Sequence, residues 1–443
     1  MILKDISKRI SDAGGRVFYV GGYVRDQFIG KESKDVDVEI YGIDYSVLMD
    51  ILSDYGEVDT VGKSFGIIKV KGLDIDFTMP RTRRKTGDGH KDFEVLVNPY
   101  MPYKEACRRR DFTVNSAMQD VLTGEIVDYF NGRRDIEDRI IRHVDDKTFV
   151  EDPLRVYRAV QFAGRFGFAI APETLELCGK TDLHFLPKER VFGEIMKLLM
   201  KSDNPSIGFE YMRELAITKK HFPILDKMIG CEQQLDHHPE GSVWNHTMLV
   251  VDEAAKLRPK SKYPEALMLA ALLHDTGKPA TRAVRKGKVT FYSHYDVGEA
   301  ASIKFLKTVT DDKRLTVAVC TLVKYHMNPI FLYNSHAKVS AVRRLANKCD
   351  IHELLLLHEA DHKRMRSSAA PCSNPVTDWF RDIIESNSLD KKAEPLVKGR
   401  DLIELGLAPG PRFGKILKDA YEMQMDGYSY EEIIGKVKET IVF

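Results

Sequence analysis

The stretch VGGYVRDQFIGKESKDVDVEIYG, Val20–Gly42, combines a Gly-Gly pair, an Arg-Asp pair and a run in which acidic and apolar residues alternate. Successive side chains of a β-strand point to opposite faces, so Asp35, Asp37 and Glu39 share one face and the intervening apolar residues share the other. The apolar face is expected to pack against a core. The acidic face is then available to bind a ligand.

A second strand with the same alternation is predicted in LDIDFTM, Leu73–Met79, where Asp74 and Asp76 share a face. If the two strands pair, a third carboxylate joins Asp35 and Asp37. Clustered carboxylates repel one another unless a cation lies between them, and hard oxygen ligands suit Mg²⁺, which also binds substrate phosphates. The pattern predicts the two-metal site of nucleotidyl transfer, in which the ions activate the attacking hydroxyl and hold a triphosphate.

The alternative interpretation is an exposed edge strand whose acids are solvated, and Glu39 and Asp74 are assigned to solvent in this way. The Gly-Gly turn, Arg25 and the second acidic strand together favour the metal site over this alternative. Gly21 and Gly22 allow the backbone to approach phosphate oxygens at a helix start, and Arg25 offers them a positive charge. The stretch is therefore predicted to bind a nucleoside triphosphate with its metal ions.

Length and composition limit the possible classes of protein. A chain of 443 residues is expected to form several domains. Its formal net charge is +1, from 67 Lys and Arg against 66 Asp and Glu, so whole-chain charge indicates no nucleic-acid partner. The six cysteines show no CxxC pair, which favours reduced thiols in a cytoplasm. No signal peptide is expected, and no apolar run approaches membrane-spanning length.

The organisation along the chain changes near Asp135, where a mixed α/β pattern gives way to amphipathic helical stretches. The Pro- and Ser-bearing segment Ser367–Asp378 is the best candidate for a linker. In EDPLR, Glu151–Arg155, the side chains of Asp152 and Arg155 share a helix face and can offer an acceptor and a donor to a base edge. The alternative there is a helix cap with an intrahelical ion pair.

A second group of candidate ligands lies in the later half of the chain. It consists of His246, His274, Asp275, His294, His326 and Asp361. The string HDTGK, His274–Lys278, is the most specific part, because an apolar helix that ends in His-Asp presents two adjacent ligands. Imidazole with carboxylate suits Mn²⁺, Fe, Co²⁺, Ni²⁺ or Zn²⁺ better than Mg²⁺, and a bridging Asp275 allows two ions. Lys278 is a candidate for a substrate phosphate, although a solvent-facing lysine is the commoner case.

Four ordered motifs resemble the bacterial class II tRNA nucleotidyltransferases, the CCA-adding enzymes and related poly(A) polymerases. They are GGYVRDQFIG with KDVDVEIYG, then IDFTMPR, RRRDFTVNSAM and EDPLRVYRAVQF, within residues 15 to 200. The resemblance implies an α+β protein with a small polymerase-β-type head of five strands in a mixed sheet, followed by all-α neck, body and tail domains. Residues 235 to 365 resemble the HD-domain phosphohydrolases.

The resemblance also implies roles for residues. The metal-binding acids of the family match Asp35 and Asp37, with Asp76 as the third carboxylate. Asp152 and Arg155 match the pair that recognises the incoming base in place of a nucleic-acid template. The motif that contacts sugar and phosphate supplies Arg110, Asp111 and Asn115. Many relatives have Arg where this chain has Gln161, which leaves a base-stacking or phosphate role at that position open.

These features predict a template-independent tRNA nucleotidyltransferase that adds C and A to the tRNA 3′ end from CTP and ATP with two Mg²⁺ ions. The expected domains are the head at 1–137, a base-recognising neck at 138–205, a transition-metal HD phosphohydrolase at 206–370 and an RNA-binding tail at 371–443. The segment Arg81–Ala106 resembles the family loop that governs the switch from C to A. The protein is expected to be cytoplasmic, without a membrane partner.

Several alternatives remain open at this point. Within the same class, the chain can be an A-adding enzyme or a poly(A) polymerase. From another class, it can be an HD phosphohydrolase with a non-catalytic RNA- or nucleotide-binding head, or an RNA-binding scaffold without chemistry. The sequence leaves the HD substrate and the oligomeric state undetermined.

Overall fold

The structure is a computed structural model that describes residues 2–32, 35–62, 67–85, 93–236, 238–362, 374–389 and 393–441. The chain divides into two compact units. The first comprises Met1–Ser202 with Ile207–Ala216, and the second comprises Asp203–Ser206 with Ile217–Phe443.

The first unit contains the sheet and the early helices. Its described strands are β1 Arg16–Val20, β2 Val36–Tyr41, β3 Val58–Gly62, β4 Ile67–Val70, β5 Ile75–Thr78, β6 Arg81–Lys85, β7 Phe93–Val97, β8 Met118–Asp120, β9 Ile126–Val127, β10 Ile140–Ile141 and β11 Ala169–Ile170. Its described α-helices are α1 Ile2–Asp12, α2 Gly22–Ile29, α3 Tyr45–Ser53, α4 Tyr103–Arg108, α5 Gly132–Glu137, α6 Asp146–Phe149, α7 Leu154–Phe166, α8 Pro172–Lys180, α9 Lys188–Lys201 and α10 Ser206–Glu214.

The main sheet is mixed and positions the predicted site. Within the described ranges it has seven strands in the order β3-β4-β5-β2-β1-β8-β9, where the family resemblance implies five. The two-residue β9 lengthens one edge by pairing with β8 in a hairpin. Strand β2 runs parallel to β5 and antiparallel to β1, so it is a central strand. The edge-strand interpretation of the acidic run is therefore wrong.

The alternating pattern of β2 sets its two faces as predicted. Val38 and Ile40 are fully buried and pack in one cluster with Ile10 of α1, Leu48 of α3 and Phe77 of β5. The neighbouring acids consequently lie on the opposite face. Burial of the apolar side chains, each worth about 1.5–3 kcal/mol, holds the strand in this orientation.

The segment that resembles the switching loop, Arg81–Ala106, lies partly outside the described residues, which omit 86–92. Its described parts include β6 and β7, which pair antiparallel in a separate two-stranded sheet with Arg81 opposite Val97. The segment then continues into α4.

The second unit is helical apart from one short hairpin among its described residues. Its α-helices are α11 Ile217–His221, α12 Pro223–Ile229, α13 Val243–Leu257, α14 Pro264–Leu273, α15 Lys278–Thr281, α16 His294–Val309, α17 Lys313–Tyr325, α18 Asn328–Asn334, α19 Val339–Lys348, α20 Ile351–His362, α21 Pro375–Asn387, α22 Gly399–Glu404, α23 Pro411–Asp426 and α24 Tyr430–Ile441. Its hairpin pairs β12 Ala283–Arg285 with β13 Lys288–Thr290.

Helix α14 forms the centre of this unit. Every residue from Ala266 to Leu273 is buried, because the helix packs against α13, α17 and α20. A helix that is apolar all round is typical of a domain core. Its C-terminal end therefore presents the His-Asp pair of HDTGK inside the unit.

The predicted linker Ser367–Asp378 is only partly described. Residues 367–373 lie outside the described ranges, and Asn374 caps α21 by accepting hydrogen bonds from the backbone N–H groups of Val376 and Thr377. The linker prediction is therefore wrong for the last four residues, because Pro375 at the first helical position starts a helix.

One described stretch, Lys313–Asn334, has the length and apolar composition of a membrane-spanning helix, which differs from the expectation from sequence. It consists of α17 and α18, which are separated at His326 and Met327. Val319 and Val323 are fully buried, and His326 belongs to a polar centre. These features are typical of a core helix and make the stretch weak evidence for a membrane.

Candidate functional site

Two of the predicted carboxylates lie side by side on the sheet. Strands β2 and β5 pair in parallel register with Asp37 opposite Asp76, so both side chains are on one face. Asp35 immediately precedes β2. Burial and the negative charges of Asp76 and Asp35 raise the pKa of Asp37, against the lowering effect of Arg110. Such crowding of carboxylates fits a site for a divalent cation.

Lys69 is a neighbour of this cluster that the sequence interpretation missed. It lies opposite Asp76 in the register of β4 with β5, and its Nζ is 2.9 Å from Asp76 Oδ1. The alternation in GIIKVKG shows that Lys69 and the neighbouring apolar residues lie on opposite faces of a strand. It does not show that this strand pairs with β5, and that pairing is what brings Lys69 to Asp76. One negative charge of the cluster is thus balanced by the protein itself.

The prediction that the Glu39 side chain is solvated is wrong. It is only 9% exposed, and its Oε2 accepts hydrogen bonds from Tyr41 Oη at 2.6 Å and from Arg110 Nη2 at 3.1 Å. The physical reason is that β2 is paired on both sides. Glu39 therefore fixes the guanidinium of Arg110 beside the carboxylate cluster. Asp74 is exposed, as expected.

A cavity of about 220 Å³ adjoins the two acidic strands. Glu39 and Thr78 line it, and they follow Asp37 and Asp76 by two residues, on the same strand faces. Its charged lining also includes Arg81, Arg109, Arg110, Glu151, Asp152 and Arg155. The fold thus brings the predicted metal-binding strands and the EDPLR motif to one concave site of mixed charge, which suits a nucleotide.

Asp152 and Arg155 both line this cavity while also making contacts with the protein. Asp152 accepts a hydrogen bond from the backbone N–H that opens α7, and its Oδ2 is 2.8 Å from Arg190 Nη2. The Arg155 guanidinium donates to the carbonyl oxygens of Thr148 at 2.6 Å and Arg109 at 2.7 Å. These contacts hold both side chains at the cavity wall. Recognition of a base by the pair remains a prediction.

The residues of RRRDFTVNSAM form a buried hydrogen-bonded chain. Asn115 Oδ1 accepts from Arg25 Nη1 at 2.7 Å, and Asn115 Nδ2 donates to Asp111 Oδ1 at 3.0 Å. Asp111 Oδ2 accepts from Arg158 Nε at 2.8 Å. Burial acts to raise the pKa of Asp111, but Arg158 and Asn115 outweigh it and lower the pKa to about 2. Sequence reasoning missed Arg158, which follows Arg155 at helical spacing on α7.

The placement of Arg25 differs from that of an open phosphate clamp. Its guanidinium is buried, donates to Asp26 Oδ1 at 2.7 Å and lies 4.7 Å from the ring centroid of Phe166. Gly21, by contrast, has a φ of 64° at the start of α2, and Arg110 is the nearest side chain to it. Glycine favours this left-handed conformation, and Gly22 follows at the first turn. The roles of these residues toward phosphate remain predictions.

The second unit brings all six predicted His and Asp ligands together. They form two groups that share Asp275, one with His246 and His274 and the other with His294 and His326. Asp275 Oδ2 is 3.3 Å from His274 Nε2, and Asp275 Oδ1 is 3.5 Å from His294 Nε2. The sixth residue, Asp361, joins the first group, with its Oδ1 2.8 Å from His246 Nε2. The shared carboxylate has one oxygen toward each group, as a bridging ligand requires.

The imidazole rings are oriented for metal binding. Nδ1 of His274, His294 and His326 each contacts the carbonyl oxygen three residues earlier, at 2.9, 2.8 and 2.7 Å. These contacts place the proton on Nδ1 and leave the unprotonated Nε2, with its lone pair, toward the centre. The Nε2 atoms of His294 and His326 lie 3.1 Å apart there. Burial lowers the pKa of His326 to about 3, which keeps this ring neutral. His274 Nε2 is buried without a hydrogen-bond partner in the described chain. This donor set fits a transition metal.

Two neighbours support these ligands. Lys278 is only 7% exposed, and its Nζ lies 2.7 Å from both Asp275 Oδ2 and Gln233 Oε1, so the expectation of a solvent-facing lysine is wrong. Glu240 Oε1 accepts from His246 Nδ1 at 2.7 Å and from His238 Nδ1 at 3.0 Å. Sequence reasoning missed Glu240, which lies in the loop before α13, where no periodicity marks it.

Three domain families match parts of this chain. They are the Poly A polymerase head domain at residues 17–142, the Probable RNA and SrmB- binding site of polymerase A at residues 167–229, and the HD domain at residues 243–365. A Multifunctional CCA protein of Xanthomonas campestris pv. campestris strain B100 is 31% identical over 421 residues, covering 91% of this chain and 97% of the relative. The chain belongs to the family of multifunctional CCA proteins. The resemblance seen in its motifs is thereby confirmed.

A further member of the CCA family agrees with this placement. A Multifunctional CCA protein of Actinobacillus pleuropneumoniae serotype 5b is 37% identical over 275 residues, covering 60% of this chain and 64% of the relative. This CCA-family chain is a nucleotidyltransferase with an HD domain, and both domain classes imply the use of divalent metal ions.

Solved structures of CCA-adding enzymes share the fold of this CCA-family chain. The Bacillus stearothermophilus enzyme in complex with CTP has a TM-score of 0.68 at 22% identity, covering 98% of this chain and 96% of that one. The Thermotoga maritima enzyme complexed with tRNA has a TM-score of 0.61 at 18% identity, covering 99% and 95%. The predicted α+β class, with a mixed sheet in the head and helices in the remainder, is confirmed.

Proposed function

We propose that the chain adds C and A to the 3′ end of tRNA, with CTP and ATP as substrates. The observation that carries the proposal is the parallel register of Asp37 with Asp76 beside a cavity lined by Arg110, Asp152 and Arg155. Membership of the CCA family supports tRNA as the partner, because a related enzyme has been solved with tRNA and others with CTP or ATP.

In this proposal Asp35, Asp37 and Asp76 hold two Mg²⁺ ions. Mg²⁺ held there would activate the tRNA 3′ hydroxyl and neutralise charge on the triphosphate. The hydroxyl gives its proton to solvent and its oxygen forms a bond to the α-phosphorus of the nucleotide. The bond between the α-phosphorus and the bridging oxygen of the β-phosphate breaks, and pyrophosphate leaves. Arg110, held by Glu39, faces the phosphates as a fixed positive charge.

The remaining cavity residues select the nucleotide. Asp152 supplies an acceptor and Arg155 a donor to the edge of the incoming base, so that the protein replaces a template. Asp111 and Asn115, which hydrogen-bond to each other, are assigned to the sugar of the nucleotide. Gly21 and Gly22 permit close approach of the triphosphate, with Arg25 hydrogen-bonded to Asn115.

The test uses purified protein and tRNA transcripts that end before CCA, after C or after CC, each with CTP, ATP or both. Growth of all three transcripts to CCA supports the proposal. Growth only of the transcript ending in CC, and only with ATP, indicates an A-adding enzyme. Long A tails indicate a poly(A) polymerase, and no growth of any transcript indicates a non-catalytic head.

We further propose that the HD centre is a metal-dependent phosphohydrolase. The observation that favours it is the pair of ligand groups that share Asp275, with His246, His274, His294, His326 and Asp361 completing the set. Ni²⁺, Mn²⁺, Fe, Co²⁺ or Zn²⁺ suits these ligands, and such a metal supplies activated water for attack on phosphorus. Candidate substrates are a 2′,3′-cyclic phosphate or a phosphate at an RNA end, or a nucleotide phosphate ester. An end blocked by phosphate cannot prime nucleotide addition.

The test of this second activity measures bound metal by elemental analysis and hydrolysis of 2′,3′-cyclic AMP and p-nitrophenyl phosphate after adding Ni²⁺ or Mn²⁺. Metal-stimulated hydrolysis supports the proposal. Protein that contains none of these metals and stays inactive after addition of Ni²⁺ or Mn²⁺ contradicts it.

The four-domain division at 1–137, 138–205, 206–370 and 371–443 completes the proposal. The family match at 17–142 supports the head and the match at 243–365 supports the HD domain. The match at 167–229 begins in the neck and extends past its proposed end at 205. The last domain is assigned to RNA binding. A cytoplasmic location is supported by the cysteines of the described residues, which are free and buried.

A further inference from the structure

We infer that the hairpin β12–β13 and the adjacent Tyr292 form a platform for single-stranded RNA, which delivers the 3′ end of the strand to the HD centre. The inference rests on the proposed phosphohydrolase function and identifies its substrate as an RNA strand. Three observations support it: the positive charge of the hairpin, the exposed ring of Tyr292 and the short distance along the chain from Tyr292 to His294.

The hairpin carries positive charge without a balancing acid in its own segment. Residues 279–295 contain four cationic and no acidic side chains. The cations are Arg282, Arg285, Lys286 and Lys288, and all four are exposed. Positive φ values of 50° at Lys286 and 76° at Gly287 form the two-residue turn between paired Arg285 and Lys288. This arrangement complements a phosphodiester backbone.

Tyr292 supplies an aromatic surface beside these cations. Its side chain is 64% exposed, and the guanidinium of Arg285 lies 4.7 Å from the ring centroid. Arg285 lies over the ring, and the exposed part of Tyr292 offers a surface on which a base can stack. Aromatic rings combined with a basic groove are the features by which proteins bind single-stranded nucleic acid without reading its sequence.

The chain connects this surface directly to the metal centre. Tyr292 precedes the buried ligand His294 by two residues, and two residues span at most about 7 Å. Ser293, between them, has a left-handed φ of 56°, which turns Tyr292 outward and His294 inward. On the inner side, the ring of Phe291 lies 5.5 Å from Lys278 Nζ. The terminal phosphate of a nucleotide stacked on Tyr292 can therefore reach the HD centre.

The experiment uses the full chain loaded with Ni²⁺ or Mn²⁺ and a fluorescent five-nucleotide RNA that ends in a 2′,3′-cyclic phosphate. Anisotropy measures binding, and product analysis measures hydrolysis of this RNA, of 2′,3′-cyclic AMP and of p-nitrophenyl phosphate. The variants are Tyr292→Leu, Tyr292→Phe and the triple change of Arg285, Lys286 and Lys288 to Gln. Lys304→Gln with Lys307→Gln, which removes two positive charges from exposed positions of α16, is the control for charge.

Tyr292→Leu is expected to raise the Kd and KM for the RNA about tenfold, while Tyr292→Phe keeps them near the wild-type values, because base stacking requires a ring. The triple variant is expected to weaken binding and to flatten its dependence on salt, with a loss of slope of roughly 2. Both changes are expected to affect p-nitrophenyl phosphate less than RNA. The α16 control is expected to match the wild type.

Wild-type RNA affinity in both Tyr292→Leu and the triple variant, with unchanged thermal unfolding, would overturn the inference. A loss of equal size for 2′,3′-cyclic AMP and RNA, without a change in salt dependence, would also overturn it and leave a mononucleotide as the occupant. If the loaded wild type hydrolyses nothing, the phosphohydrolase proposal fails separately. Weaker RNA binding by the variants would still support the platform in that case.

Discussion

Asp37 and Asp76 occupy paired positions on neighbouring strands, and Asp74 is exposed two residues before Asp76. Asp37→Ala is expected to reduce nucleotide addition about a thousandfold, which corresponds to about 4 kcal/mol of transition-state stabilisation, because a metal ligand is lost. tRNA affinity, measured by filter binding, is expected to stay near wild type. Asp74→Ala is the matched control and should retain activity. Equal effects of the two changes would contradict the assignment.

Asp152 has two candidate roles, recognition of the incoming base and capping of α7. A substitution is expected to change nucleotide selection in the first case and only stability in the second. Asp152→Ala is expected to lower discrimination against UTP and GTP by about 1–3 kcal/mol, measured as misincorporation on a transcript ending in CC. Arg190→Gln removes the ion pair of Asp152 but keeps its carboxylate, so discrimination should persist there. A lower melting temperature of Asp152→Ala with unchanged misincorporation would favour the helix-capping role alone.

Glu240 acts on the HD centre through His246. Glu240→Gln is expected to weaken binding of Mn²⁺ or Ni²⁺ about 10–100-fold, because the carboxylate that orients the ring is lost. Isothermal titration of metal-stripped protein measures this directly. Glu232→Gln changes an exposed acid in the same loop and serves as the control. Equal metal affinities in the two variants would show that Glu240 has no positioning role.

At the scale of elements, the glycine of HDTGK sets the approach of α16 to the end of α14. A Cβ atom on Gly277 would collide with the carbonyl oxygen of His294 and lie 2.6 Å from the backbone nitrogen of Gly298. Gly277→Ala is therefore expected to displace α16, which carries His294, and to destabilise the second unit by about 1–3 kcal/mol. Metal stoichiometry and thermal unfolding measure the effect.

The control for this prediction is Gly414→Ala in α23 of the same unit, where an added Cβ meets nothing within 4 Å. Alanine there is expected to be neutral or slightly stabilising, because it favours a helix over glycine. If Gly277→Ala binds metal and unfolds like this control, close packing of α16 does not explain the glycine.

Elements marked by a local pattern of apolar residues were predictable from sequence. The period of two in DVDVEIY defined the faces of β2, and the apolar run before HDTGK predicted a buried helix ending at the ligands. Contacts made by residues outside the recognised motifs, or by residues assigned to solvent, were not predictable. The Lys69 contact depends on strand pairing, the burial of Glu39 depends on β1 and β5 flanking β2, and Arg158 reaches Asp111 across 47 positions.

At the scale of the whole molecule, the two candidate centres lie in different compact units. The double change His274→Ala with Asp275→Ala is therefore expected to abolish hydrolysis of 2′,3′-cyclic AMP while nucleotide addition to tRNA continues at the wild-type rate. Parallel assays on one preparation measure both activities. The reciprocal variant Asp37→Ala should show the opposite pattern, and loss of both activities in either variant would contradict independent active sites.

Each centre contains a lysine ammonium within 3 Å of one of its carboxylates, Lys69 at Asp76 and Lys278 at Asp275. Part of the negative charge is therefore compensated by covalently attached groups before any ion binds. We expect the metal-stripped protein to stay folded, unlike domains that unfold when their metal is removed. Chelation should accordingly stop both reactions without unfolding either unit.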